Sequence, residues 1–251
     1  MIVSEIGLNH LGDYDLAYHY VTQLLNTDVD AITFQIREPN FYKGKFKNFK
    51  LTPIEYKSLK IRINNSGKLF GYAISEVPNL EELDADFFKI LSKDLDNLDF
   101  IKKLTDHAKD KPIYFSTGMS GFNVIQNTIN ICQKQGFEDY KLIHTRLSNC
   151  IDEVNLKAIN NMKNEFGDII AFGNHCENTH VLYTAVAYEP TDYYFYVKNK
   201  KQNYHPDDLH AIYLDDVQSY CLNINDLIKS LGSGNKTNTN NTIKGQTWKK
   251  Q

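Results

Sequence analysis

Glu5 and Lys89 are the charges most in need of explanation, because each sits inside a short apolar run, Ile2–Ile6 and Phe87–Leu91, where an isolated charge is costly. An acid and a base pointing inward from different strands explain each other, and such a pair can bind an anion and move a proton. The same two residues would also serve as an internal salt bridge filling a layer of the interior. Other polar residues stand at the ends of further apolar runs: Asn9 and His10, Gln35 and Arg37, Ser75 and Glu76, Ser92, Ser116 and Thr117, His144 and Arg146, Asn174 and His175. Arg37, Arg62 and Arg146 are the only arginines, and two of them fall at such ends. A guanidinium there suits bidentate binding of carboxylate or phosphate, although loop arginines are equally consistent with a solvated surface. Of the histidines, His19, His107, His180 and His210 lie in stretches of helical spacing and read as surface or packing residues. His10, His144, His175 and His205 could ligate a divalent metal, act as acid or base, or donate a structural hydrogen bond.

The elements that must position these residues alternate. Runs rich in β-branched and aromatic residues occupy Ile2–Ile6, Ala31–Ile36, Leu69–Ile74, Phe87–Leu91, Pro112–Ser116, Lys141–Thr145, Ile169–Phe172 and Tyr193–Val197. Helical spacing follows near Leu16–Leu25, Pro53–Asn64, Asn79–Leu83, Leu98–Ala108, Asn123–Gln135, Glu153–Glu165, Asn178–Ala187 and Asp208–Leu222. An eightfold βα repeat of this length predicts a closed (β/α)8 TIM barrel over residues 1–231, in preference to an open doubly wound sheet. Active residues then belong at the C-terminal ends of the strands, with Glu5 and Lys89 in a common cavity at the mouth. Asp94 or Asn97 can cap the fourth helix. The Arg37–Thr52 connection, mixing aromatics with lysines, is long enough to be a lid or a solvated loop. From 232 to 251 the composition turns to Gly, Ser, Asn, Thr and Lys, which predicts a polar disordered tail.

Composition excludes several classes. With 251 residues, 41% hydrophobic, and 28 Lys+Arg against 31 Asp+Glu, the chain has no basic block for nucleic acid and no apolar run of bilayer length. The N-terminus lacks a secretory pattern, so a cytoplasmic protein acting on small molecules is expected. Cys132, Cys150, Cys176 and Cys221 are widely spaced and suggest neither a zinc site nor a disulfide framework.

Ser4–Ala17, reading SEIGLNHLGDYDLA, resembles the opening of the N-acetylneuraminate (sialic acid) synthase family, which begins Glu-Ile-Gly-x-Asn-His-x-Gly-Asp. DAITFQ (30–35), DFFKILSKDLDNL (86–98), STGMS (116–120), KLIHT (141–145), FGNH (172–175) and PDDLHAIYLDDV (206–217) follow in the family's order. The resemblance implies a condensation in which C3 of phosphoenolpyruvate attacks the aldehyde of an open-chain N-acetylhexosamine, giving a 2-keto sugar acid for surface polysaccharide, and phosphate. It implies a divalent metal, manganese or magnesium, acting as Lewis acid. It assigns Glu5, Gln35, Lys89, Ser92, Ser116 and Asn155 to the substrates and His175 to the metal. Asn9, His10, Arg37 and Arg146 join them as candidate substrate-binding groups.

The departures are specific. Thr33 stands where the family has a lysine, Lys93 replaces an acidic residue, and the Ser-Asp-His triplet reads Gly173-Asn174-His175. The second metal histidine aligns with Tyr196, and Pro-Asp-His reads Pro206-Asp207-Asp208. Metal affinity should fall unless His10, His205 or Asp208 reaches in. The resemblance also implies a C-terminal cap that supplies an arginine across a dimer, and this reading expects the chain to lack it. Substrate recognition then differs, is lost, or is supplied by another polypeptide, through a homodimer or a separate cap subunit. Two alternatives follow: a non-catalytic paralogue that binds a sugar or a partner, and a metal-independent barrel enzyme on another sugar.

Overall fold

The computed structural model describes residues 1–235. Strands β1 (Ile2–Gly7), β2 (Ala31–Ile36), β3 (Leu69–Ile74), β4 (Phe87–Ile90), β5 (Ile113–Ser116), β6 (Tyr140–His144), β7 (Ile170–Gly173) and β8 (Tyr193–Lys198) pair in parallel in chain order. β8 pairs back onto β1, from Ile2 opposite Tyr193 to Glu5 opposite Tyr196, so the sheet closes into a (β/α)8 TIM barrel. A two-residue strand, β9 (Ile212–Tyr213), lies against the end of β8.

Helices α1 (Tyr14–Leu25), α2 (Pro53–Asn65), α3 (Leu98–Ala108), α4 (Phe122–Lys134), α5 (Ala158–Phe166), α6 (Val181–Ala185) and α7 (Val217–Leu231) cover the outside. Their starts follow local chemistry. Asp13 caps α1, Thr52 and Glu55 form a capping box on α2 beside Pro53, and Asn97 caps α3 by accepting from the Phe100 amide at 3.1 Å. Asp94 instead accepts the Ser75 hydroxyl at 2.7 Å.

Two helical expectations are corrected. Asn79–Leu83 forms a single 3-10 turn at Leu80–Glu82 within the twelve-residue connection from β3 to β4. Asp208–Leu222 is not one helix: α7 starts at Val217, directly after the acidic turn Leu214–Asp216, and Asp208 to Tyr213 belong to a connection and β9. Residues 236–251, most of the expected tail, lie outside the described residues.

Period-two alternation sorts side chains to the two faces of the barrel wall. Val3, Ala31, Phe87, Tyr114, Ile143, Ala171 and Tyr194 pack together as the lower interior layer. Gly71 makes room for it, since a Cβ there would fall 2.3 Å from the Phe87 ring. One step up each strand, the same face carries Glu5, Thr33, Lys89, Ser116, Thr145, Gly173 and Tyr196. Apolar packing fills the bottom and polar groups are left for the mouth. The Arg37–Thr52 connection is built on the stacked rings of Phe41 and Phe46, whose centres are 4.4 Å apart, and it lies on the β1–α1 turn: a Cβ on Gly12 (φ +76°) would fall 1.6 Å from the Asn48 carbonyl oxygen. Among the described residues no helix is long and apolar enough to cross a membrane.

Candidate active site

Lys89 Nζ donates to Glu5 Oε1 at 2.5 Å, and both side chains are almost wholly buried. The ammonium sits between two rings of β8, 5.3 Å from the centre of Tyr194 below and 5.8 Å from that of Tyr196 above. Tyr196 spans the mouth, its hydroxyl donating to Gln35 Oε1 at 3.5 Å. The pair therefore shares one mouth as expected, but an aromatic ring covers it.

A segment after β8 closes over this layer. Asn9 fastens it: its Nδ2 donates to the Val197 carbonyl at 2.8 Å, its Oδ1 accepts from the Asp207 amide at 3.2 Å, and Gln202 Nε2 donates to the Asn9 carbonyl at 2.8 Å. Asp207 and Tyr196 both press on Gly7, where a Cβ would meet the Tyr196 ring at 2.7 Å and Asp207 Oδ2 at 2.8 Å. That Oδ2 is shut off from solvent and has no hydrogen-bond partner. Burial, and then the neighbouring Glu5 charge, push the Asp207 carboxyl up to about 7 against the pull of a backbone hydrogen bond at Leu8 and of Lys89 and Arg37.

Three rings meet beside it. His175 and His210 lie with centres 4.6 Å apart and planes tilted 38°, and Tyr196 packs against His210 at 4.9 Å and His175 at 5.4 Å. Burial, with Lys89 adding to it, lowers His210 to about 4; burial, His210 and Lys89 hold His175 well below the usual imidazole range. Both rings are neutral at pH 7, the form in which imidazole binds metal. His210 Nε2 is buried without a hydrogen-bond partner. Among the described residues no group of three or more His, Cys, Asp or Glu side chains is placed to hold a metal ion. The nitrogen donors present are a pair of imidazoles, and neutral imidazole is a ligand type that suits a borderline divalent cation.

Around the β4–β6 ends, Ser92 Oγ accepts from the Gly118 amide at 3.2 Å, and the Ser116 and Thr145 hydroxyls are buried without partners. Arg37 stands at the rim, its guanidinium forked onto Glu38 at 3.1 and 3.3 Å and lying 4.4 Å over the Phe41 ring.

Other expected residues lie elsewhere. His10 is on the outer side of β2, packed against Phe34 and Tyr56, where burial lowers it to about 4. His144 also faces outward, against Phe172, with Nε2 3.0 Å from the Val154 carbonyl. Arg146 and Asn155 are exposed on the connection between β6 and α5, Asn155 with φ +50°. His205 Nε2 accepts from the Asn199 amide at 3.2 Å, and Asp208 pairs with Lys198 at 2.8 Å. None of His10, His205 and Asp208 stands with His175; His210 does. Asp207 and His210 are the residues that sequence reasoning missed. The Pro206-Asp207 match marked the first, and only correct placement of the α7 start would have freed the second from a helix.

A closed parallel barrel with a buried lysine–carboxylate pair at its C-terminal mouth is thus the class of protein that the fold and the site define. The NeuB family model matches residues 19–236, and the chain belongs to the NeuB family. It is 25% identical to the N,N'-diacetyllegionaminic acid synthase of Campylobacter jejuni over 94% of this chain and 78% of that protein. It is also 25% identical to the human N-acetylneuraminate-9-phosphate synthase, over 74% of this chain and 58% of that protein. In fold it is similar to the N-acetylneuraminic acid synthetase of Leptospira borgpetersenii in complex with citrate, with a TM-score of 0.87, 22% identity, and coverage of 95% of this chain and 87% of that one.

Proposed function

We propose that this protein condenses phosphoenolpyruvate with a sugar aldehyde of the N-acetylhexosamine class, making a 2-keto sugar acid for polysaccharide biosynthesis. The observation that carries this reading is the buried Lys89–Glu5 pair at the mouth of a NeuB-family barrel. In it, Lys89 supplies the buried positive charge for a donor bearing carboxylate and phosphate, and the unpartnered Ser116 and Thr145 hydroxyls offer hydrogen bonds to its oxygens. Glu5 holds the ammonium in place and limits its conformers. Asp207, titrating near 7, can hold or release a proton at neutral pH and is the group suited to proton transfer. Arg37 adds a cation at the rim. A divalent cation, when held by the two imidazoles, would supply Lewis-acid polarisation of the sugar aldehyde.

The test is phosphate release, with parallel detection of a 2-keto acid, from phosphoenolpyruvate, manganese and a panel of N-acetylhexosamines with and without a phosphate. Release that needs the sugar and disappears in Lys89→Ala supports the reading. Background release by folded protein across the panel refutes it.

A second reading is favoured by one observation, the Tyr196 ring that spans the mouth and hydrogen-bonds to Gln35. It is a non-catalytic relative that binds a sugar or a partner subunit such as a separate cap. A melting-temperature rise with sugar alone, without phosphate release, distinguishes it.

A further inference from the structure

We propose that residues 199–211, the connection from β8 to β9, are a flap that lifts from the barrel mouth to admit an anionic donor, and that Asn9 is its latch. The proposal rests on the reading of this mouth as the place where phosphoenolpyruvate binds. In the closed structure that donor has no path to its cation, because the Tyr196 ring covers Lys89 and the His210 ring packs edge-on against Tyr196.

The connection is built to move as a unit. Its thirteen residues leave and return at one place, since Val197 pairs with Ile212 and Lys198 with Tyr213, which gives the pinned ends of an Ω-loop. Movement between those ends leaves the barrel ladders intact. What holds it down is polar: the Asp207 amide donates to Asn9 Oδ1, Gln202 Nε2 donates to the Asn9 carbonyl, and the Tyr20 hydroxyl donates to Gln202 Oε1 at 3.1 Å. Its two large apolar side chains contribute little, because Tyr204 is 52% and Leu209 56% exposed. A segment fastened by hydrogen bonds, with few buried apolar contacts, opens at far less cost than the whole fold. Its underside also carries two buried atoms without partners, Asp207 Oδ2 and His210 Nε2, which regain water when it lifts. Asn9 stands on the β1–α1 turn and bonds at once to the end of β8, through the Val197 carbonyl, and to the middle of the flap, so it is the point at which the closed state is fastened.

The experiment is labelling of Lys89 in the full chain by pyridoxal phosphate, an anionic aldehyde, trapped with borohydride and located by peptide mass spectrometry. The exposed Lys57 is the internal reference. Lys89 of the wild type should label far more slowly than Lys57. Asn9→Ala should speed Lys89 about tenfold and Gln202→Ala about threefold, with Lys57 unchanged in both. Gln202→Ala keeps Asn9 and the barrel, and serves where the Asn9 variant fails to fold. The Lys89 rate should barely respond to dilute urea, because lifting a flap exposes little surface, whereas access through global unfolding rises steeply with urea. A Lys89 rate that neither variant changes, a rate that climbs with urea as unfolding does, or a Lys89 that never labels overturns the flap. Added phosphoenolpyruvate judges the donor reading separately. Labelling that responds to the latch but is not slowed by phosphoenolpyruvate leaves the flap standing and removes the donor from this mouth. Protection by phosphoenolpyruvate at a rate indifferent to both variants does the reverse.

Discussion

Removing Lys89 and removing Glu5 should have unequal costs, and the inequality follows from Asp207. Lys89→Met leaves Glu5 without its partner in a nearly solvent-free site, facing a second buried carboxyl, with no cation inside the mouth to offset either. Breaking a buried pair in this way costs about 3–5 kcal/mol. Glu5→Gln removes the charge that raises the Asp207 carboxyl and keeps Lys89, which lowers it. Asp207 can then ionise and take over part of the pairing, so this loss should be about half as large, near 2 kcal/mol. The double change Lys89→Met with Glu5→Leu removes both charges and should fall within about 1 kcal/mol of the wild type. Urea unfolding at pH 7, followed by circular dichroism, measures all three. At ~2–4 °C per kcal/mol for a chain of this size, the Lys89→Met melting point should drop by roughly 6–20 °C. A Lys89→Met loss below about 1 kcal/mol, or a double variant as unstable as the sum of the singles, would refute the argument that the pair is mutually compensating in a dry site.

Two further outcomes are expected. Asp207 has an ordinary value of 3.8 and stands at about 7 in the fold, so its contribution is fully present below about 4 and is lost as pH rises towards 7. The loss runs at about 1.4 kcal/mol per pH unit and totals about 4 kcal/mol. The stability of Asp207→Asn relative to wild type should therefore climb by that amount from pH 4 to 8, and a flat difference would place the Asp207 carboxyl in water. Asn9→Ala should cost about 2 kcal/mol, because it strips partners from the buried Val197 carbonyl and the Asp207 amide. Amide exchange in the segment from Asn199 to Ala211 should quicken more than exchange in β1, and uniform quickening would mean that Asn9 is not the clamp.

The barrel was legible because its two periodicities are strong. β2, β3 and β8 carry dense β-branched and aromatic residues, and alternation alone puts Glu5, Lys89 and Tyr196 on one face. Chain order then brings β8 against β1. Outward-facing histidines were harder. His10 and His144 stand at strand ends like true mouth residues, but each has an aromatic partner on the outer surface, a contact that only the packing of β2 and β7 reveals. Arg146 and Asn155 met the same problem, since a loop after a strand can turn towards the mouth or away from it with no change in local pattern.

His210 shows why the missing part was missing. Asp208 to Leu222 reads as helical spacing, yet its first residues are tied elsewhere: Asp208 to Lys198 and Ile212 into a ladder with Val197, with Asp207 just before them held by Asn9. Each tie comes from residues that are distant in sequence, or from the end of β8, so tertiary contacts override local propensity here. The same ties turn His210 inward. At strand eight Tyr196 provides the edge-on contact that seats the His210 ring beside His175. The Tyr196 position and the His210 position are therefore coupled. Tyr196→Ala should loosen the His175–His210 pair even though neither histidine is changed. The imidazole proton resonances of the two rings should shift in that variant, whereas unchanged resonances would show that the connection alone holds His210 in place.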